Sequence, residues 1–235
     1  MTDDEILDEC YKEDFKISYR TQRMFGKRQG KDIGDGFTQY SFVTTAGNRV
    51  VALFDRHGAG MYFIISKTRG NKTVLYRHQM FGGRGMLARI GAHAFERYRE
   101  RVVDRMKELA GVKGISTEAI VTLIIRGMIY GGFEAAENGE RGSYITCYSE
   151  HGVFYGDANG KVLNYNTFVS VDMLKGDDRE AFVRRMHRFK AHEGMTSREM
   201  RQSHHDAVMK FYGRDALMTQ RSEEHINKFK KKDQG

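Results

Sequence analysis

Along the chain the hydrophobic positions change period, and the changes divide it into predicted elements. From Gly36 to Phe81 apolar and polar residues alternate in four runs, GFTQYSFVTT, NRVVALFD, GMYFIISK and KTVLYRHQMF. They are rich in Val, Ile, Thr, Tyr and Phe, the residues that suit a pleated, half-buried surface. The runs are separated by AGN at residues 46–48, RHGAG at 56–60 and RGNK at 69–72. Connections this short force antiparallel neighbours, so the pattern predicts a β-meander. GGRG at residues 82–85 lacks the Lys-Ser/Thr of a phosphate-binding loop and reads as a hinge closing the meander.

The period then becomes helical. In GAHAFERYRERVVDRMKEL, Gly91 to Leu109, a step of about 100° per residue puts Phe95, Tyr98, Val102, Met106 and Leu109 on one side. His93, Arg97, Arg101 and Asp104 fall on the other. Gly111 suits the left-handed position that ends such a helix. Ser116 can cap a second helix, with Glu118 in its first turn, Ala119, Ile120, Leu123 and Ile124 on its buried side, and Gly131-Gly132 as its stop. Three more strands follow, over residues 143–149, 153–155 and 161–170, the last two joined by a turn containing Asn159-Gly160. Asp172 to Phe189 reads as helical, and a charged helical tail runs from Ser197 onward. The fold class is therefore α+β: an N-terminal antiparallel meander, two helices, a second antiparallel sheet and a helical C-terminal tail. As segments, these are an arm at 1–35, the meander at 36–85, a helix–helix–sheet domain at 86–175 and a basic tail at 176–235.

Composition narrows the classes. The chain has 235 residues, 40% hydrophobic and 30% charged, enough apolar content for a packed core. Its net charge of +8 favours an anionic partner such as nucleic acid. Cys10 and Cys147 stand far apart and outside any CxxC or Cys/His zinc spacing, which fits a reduced, cytoplasmic protein. The opening MTDDEILDEC is no signal peptide, and the longest apolar run, around residues 120–125, is too short to span a bilayer, so no membrane partner is expected. His187 and His192 are five apart, not the four of an HExxH helix, and neither they nor His204 and His205 have a carboxylate in ligand spacing. No metal or other cofactor is expected. Pro and Trp are absent, so turns fall to Gly, Asn and Asp.

The chemistry concentrates on the first helix. His93 can act as a base or acid near neutral pH, and the guanidiniums of Arg97 and Arg101 can each clamp a phosphate oxygen pair. Tyr165 and Thr167, two residues apart on a strand and so expected on one face, can orient a scissile phosphate. Metal-free RNA cleavage needs such a set. Glu96, Glu100 and Asp104 are placed to pair with the arginines instead, as on an ordinary solvated face. Arg20, Arg23, Lys27, Arg28 and Lys31 form a basic arm suited to nucleic-acid phosphates. Phe37, Tyr40, Phe42, Tyr62, Phe63 and Tyr76 could stack bases, although aromatics in strands more often build core.

The arrangement His93-Ala94-x-x-Arg97-x-x-x-Arg101, then Gly114-Ile115-Ser116, a second helix and a hairpin ending in Asn166-Thr167-Phe168, resembles the metal-independent ribonuclease toxins of the RelE and barnase/EndoU-like group. The resemblance covers Ile90 to Leu174. It implies two helices packed on an antiparallel sheet and RNA cleavage by His, Arg and hydroxyl side chains. The sequence departs from that group in the insert ERVVDRMKELAGVKG, the preceding meander and the following tail. The two functional expectations are a metal-independent, toxin-like endoribonuclease, and a non-catalytic nucleic-acid-binding or partner-binding accessory protein of a phage or mobile element.

Overall fold

The computed structural model describes residues 30–44, 47–55, 60–68, 70–81, 84–110, 114–129, 133–137 and 143–192, with the single positions Glu5 and Asp8. The chain divides into two compact units, Met1–Glu193 and Gly194–Gly235. The described residues all belong to the first, so the expected charged tail lies outside them. Gly111 and Gly131-Gly132, the expected helix stops, lie outside them too.

The first half is the expected meander, with one strand more at either end. Lys31–Asp32 (β1), Phe37–Val43 (β2), Arg49–Asp55 (β3), Gly60–Lys67 (β4), Thr73–Phe81 (β5) and Arg84–Ile90 (β6) pair antiparallel in sequence order. The GGRG stretch is not a hinge. Phe81 pairs with Arg84, so only two residues connect β5 to β6 and the meander continues through it. After the helices, Phe133–Glu137 (β7), Ser143–Ser149 (β8), Gly152–Asn159 (β9) and Val162–Ser170 (β10) form a second meander, again one strand longer than expected.

The two meanders are not two sheets. Val162–Tyr165 of β10 pairs in parallel with Leu87–Ile90 of β6, giving one ten-stranded sheet of order β1-β2-β3-β4-β5-β6-β10-β9-β8-β7. Each meander would otherwise end in a row of unpaired N–H and C=O groups, and the junction satisfies one row with the other. The alternation of a strand predicts its existence but not which edge it meets.

The first helix, α1, is α-helical over Ala92–Tyr98, makes a π turn over Arg99–Val103, and is α-helical again over Asp104–Ala110. Phe95, Tyr98 and Val102 are buried as the periodicity requires. The π turn adds one residue, so the buried stripe then passes to Val103, fully buried, and Met106 is 44% exposed instead of facing the core. Helix α2, Thr117–Met128, opens as expected, with the Ser116 hydroxyl accepting from the Ala119 N–H at 3.2 Å. A short 3-10 turn at Val171–Met173 precedes α3, Gly176–His192.

Helix α2 packs on β3 and β4 and also on β8. In a flat sheet β3 and β8 would stand about 29 Å apart, six strand spacings. A 12-residue helix is only about 18 Å long, so the sheet curls around α2. The enclosed main core joins one sheet face (Val51, Leu53, Phe63, Leu75, Ile90, Phe154, Leu163, Phe168) to Tyr98, Val103, Ile124 and Ile125 of the helices. On the outer face Leu174, just before α3, and Phe182 of α3 cover the second meander, against Tyr148 and Val153. The outer face of the first meander carries its own buried cluster of Val50, Ile64, Val74, Tyr76 and Leu87. Phe37 and Phe63 are therefore inner core, while Tyr40, Phe42, Tyr62 and Tyr76 belong to the outer side, Tyr40 and Tyr76 being buried there. No helix among the described residues is long and apolar enough to cross a membrane.

Candidate functional site

The five residues expected to carry cleavage chemistry are placed by α1 and β10. Helix α1 starts where β6 ends, the Gly91 N–H donating to the Tyr165 carbonyl at 2.9 Å. Beyond Tyr165, β10 has β9 on one side and no β6 on the other, and α1 packs along this stretch. Arg101 donates from Nη1 to the Phe168 carbonyl, a strand acceptor that β6 does not reach. Arg105, one turn on, pairs with Asp172 Oδ2 at 2.6 Å. Arg101 therefore serves the sheet it crosses, and Arg97 is paired with Glu100 Oε2 at 3.1 Å. The ordinary helix-surface pairing thus holds Arg97, and Arg99 pairs in the same way with Glu96 at 2.7 Å.

Tyr165 and Thr167 do not share a face. The pairing with β9 shifts between them: Tyr165 stands opposite Gly156, but Thr167 stands opposite Tyr155, the very next residue. This β-bulge turns Thr167 to the α3 side with Tyr155, while Tyr165 points into the main core. Tyr165 is 2% exposed. Desolvation pushes its hydroxyl well above the ordinary phenol range, with Cys147, Arg77 and Gln79 as its charged and polar neighbours. Its hydroxyl stands beside the Gln79 amide without a well-formed hydrogen bond. His93 is exposed on α1, and no hydrogen bond or ion pair among the described residues involves it or the Thr167 side chain. Of the expected basic arm, Lys31 is exposed on β1, and Arg20, Arg23, Lys27 and Arg28 lie outside the described residues. The side chains of His187, His192, His204 and His205 also lie outside them.

Sequence reasoning missed a second imidazole. His151, in the turn between β8 and β9, sets Nδ1 at 2.8 Å from the Tyr98 hydroxyl of α1. Its Nε2 lies 3.4 Å from Glu150 Oε1. Burial holds the Tyr98 phenol well above its ordinary range, with the Glu150 charge adding to the effect, so the hydroxyl stays protonated and donates to Nδ1. The imidazole proton then sits on Nε2, aimed at Glu150. Desolvation lowers the His151 pKa and Arg126 lowers it further, against an opposing pull from Glu150. Helix α2 makes room for the ring with Gly127, where a Cβ would stand 3.0 Å from Nδ1, and the Gly127 carbonyl accepts from the Glu150 N–H at 2.9 Å. The adjacent Arg126 pairs with Asp35 at 2.5 Å and lies over the Phe37 ring. Tyr98 is fully buried between Phe154 and Phe168, so the chain of Glu150, His151 and Tyr98 ties the turn to both helices. No spacing in the sequence links residues 98 and 151.

The strongest charge asymmetry lies in the first meander. Residues 36–90 hold eight Lys and Arg against the single Asp55, a net +7 within a chain of net +8. Alternate strands bring Arg49, Lys67 and Lys72 to the end of the sheet where α1 begins with His93, while Asp55 is buried at the opposite end. Arg49, Lys67 and Lys72 are all exposed. Arg49 contacts Glu118 of α2, and Lys67 donates to Thr73 Oγ1 at 2.7 Å.

Comparison of the chain with known protein families, with curated proteins and with solved structures finds no match.

Proposed function

We propose that the chain is a non-catalytic RNA-binding protein whose basic meander end meets the phosphate backbone. The observation that carries this reading is the net +7 of residues 36–90, with Arg49, Lys67 and Lys72 exposed at one end of the sheet and the meander's one carboxylate buried at the other. Phosphate neutralisation by Lys and Arg supplies most sequence-independent affinity, and it requires exposed cations more than any particular fold. His93 lies at the rim of this end and can add a hydrogen bond to a phosphate or a ribose hydroxyl.

Binding is preferred to cleavage because of what the helix arginines do. A phosphate clamp needs free guanidiniums, whereas Arg101 donates to the Phe168 carbonyl and Arg97 faces Glu100. Tyr165 is enclosed and Thr167 is turned to the other face of the sheet, so the hydroxyls that would orient a scissile phosphate do not stand together. The test is a binding titration with a fluorescent single-stranded RNA, alongside a cleavage assay on the same oligonucleotide. The reading expects salt-sensitive binding, weakened by Lys67→Ala with Lys72→Ala, and RNA recovered intact. Cleavage lost on His93→Ala would overturn it in favour of the toxin-like nuclease.

A further inference from the structure

The face of the second meander beneath α3 is left open at Tyr144. Among the described residues Tyr144 carries the one exposed aromatic ring, at 42%. Tyr155 of β9 flanks it, with ring centroids 5.9 Å apart and planes tilted by 36°. Directly opposite Tyr144 on β9 stands Asp157, exposed on the same face. Residues so paired have Cβ atoms about 4.5–5.5 Å apart. Asp178, in the first turn of α3, brings a second carboxylate. Burial, then the Asp178 charge, holds the Tyr144 and Tyr155 phenols above their ordinary range, so a negative charge reaches both rings. No cation answers it. Asp157 accepts from the neutral Asn166 amide at 2.6 Å, and among the described residues neither Asp157 nor Asp178 forms an ion pair. Farther along β8 the same face shows what such a ring takes: the Arg185 guanidinium of α3 lies over the Tyr148 ring, 5.5 Å from its centroid.

We propose that Tyr144 and Asp157 form a docking site for an arginine side chain of a basic protein partner. A guanidinium is planar, so it can stack on the open ring while its N–H fork reaches the carboxylate beside it. Lysine offers a point charge without that fork. The charge balance selects a cation: within a chain of net +8, this patch sets two carboxylates without ion pairs around one exposed ring. An anionic partner such as RNA would be repelled here. The site lies on the other meander from Lys67 and Lys72 and does not depend on the RNA reading. Exposed cation–π stacking is worth about 2–5-fold in affinity, and the carboxylate adds charge-assisted hydrogen bonds.

The experiment titrates the full chain, its tyrosine rings isotope-labelled, with the peptide acetyl-Gly-Arg-Gly-Arg-Gly-amide. The Tyr144 ring signals are identified by their absence from Tyr144→Phe. They should shift more than those of any other tyrosine, and the shift should saturate. Tyr144→Phe keeps the ring and should keep the affinity, read from the remaining signals. The dissociation constant should rise by about 2–5-fold in Tyr144→Ala. It should rise by a comparable factor in Asp157→Asn, which alters only an exposed side chain. A peptide with citrulline in place of arginine keeps the shape without the charge and should leave Tyr144 unmoved. No shift at Tyr144, an equal response to the citrulline peptide or to a lysine peptide, or parental affinity in both Tyr144→Ala and Asp157→Asn overturns the proposal. Sedimentation of the free chain tests a second copy as the occupant. Self-association that is lost in Tyr144→Ala would show that the chain's own cations fill the site, and also overturns it.

Discussion

Replacing Arg101 by Met separates the two roles that its position allows. The substitution keeps an unbranched apolar stem and removes every donor, so the Phe168 carbonyl loses its partner. Phe168 is fully buried, and water cannot readily replace the guanidinium. A hydrogen bond to a charged group is worth about 1.5–3 kcal/mol when the other partner is left unsatisfied. For a unit the size of Met1–Glu193, each kcal/mol moves the midpoint by roughly 2–4 °C, so Arg101→Met should lower Tm by about 3–12 °C. Arg97→Met removes only an exposed i,i+3 pair and should change stability by no more than about 0.5 kcal/mol. Thermal unfolding by circular dichroism reads both variants, and RNA titration well below the lower midpoint reads the alternative role. If Arg101→Met melts with the parent and instead loses RNA affinity with a shallower salt dependence, the arginine is a phosphate ligand and the reasoning about the open side of β10 is wrong.

Other outcomes follow from the His151 turn and the bulge. Gly127→Ala would stabilise an ordinary helix by roughly 1 kcal/mol, but here the added methyl meets His151 Nδ1 at 3.0 Å, and the variant should melt lower than the parent. Gly156→Ala places a Cβ 1.9 Å from the Asn164 carbonyl and should prevent normal folding, read as loss of soluble, cooperatively melting protein. His151 has a folded pKa below its ordinary 6.5, so the unfolded chain takes up the proton first. The stability from the neutral ring is therefore complete above 6.5 and declines as pH falls below it towards the folded value. The fall in Tm between about pH 7.5 and about pH 5, the range where histidine titrates, should be smaller in His151→Gln; an equal fall in both proteins would remove His151 as the source.

Much of the architecture is written in local periodicity. The alternation from Gly36 to Phe81, the 3.6-residue stripe of Phe95, Tyr98 and Val102, and the Ser116 cap each specify an element through contacts a few residues apart. What the sequence hides is non-local or depends on one inserted residue. The π turn at Arg99–Val103 moves the buried stripe to Val103, and the bulge after Tyr165 turns Thr167 away; each is a single-residue phase change in an otherwise regular pattern. The parallel junction of β6 with β10 depends on two edges meeting across some 70 residues of chain. Arg101 looks like a phosphate ligand because a guanidinium that satisfies a strand carbonyl is identical in sequence to one that waits for an anion. The contact between Tyr98 and His151 has no spacing rule at all, and the meander's charge excess becomes a surface only once its turns are brought to one end.

The most direct measurement is the salt dependence of RNA affinity for the parent and for Lys67→Ala/Lys72→Ala. Arg49 is held by Glu118, so the contacts counted are Lys67 and Lys72, which give a log–log slope of about −1.4 on a single strand, at about 0.7 per contact. Affinity should then fall roughly 7-fold between about 50 and 200 mM salt by the same relation. The double variant should bind more weakly at low salt and lose most of that slope. Binding that ignores salt, or a double variant with the parent's slope, contradicts the basic meander end as the RNA-binding surface.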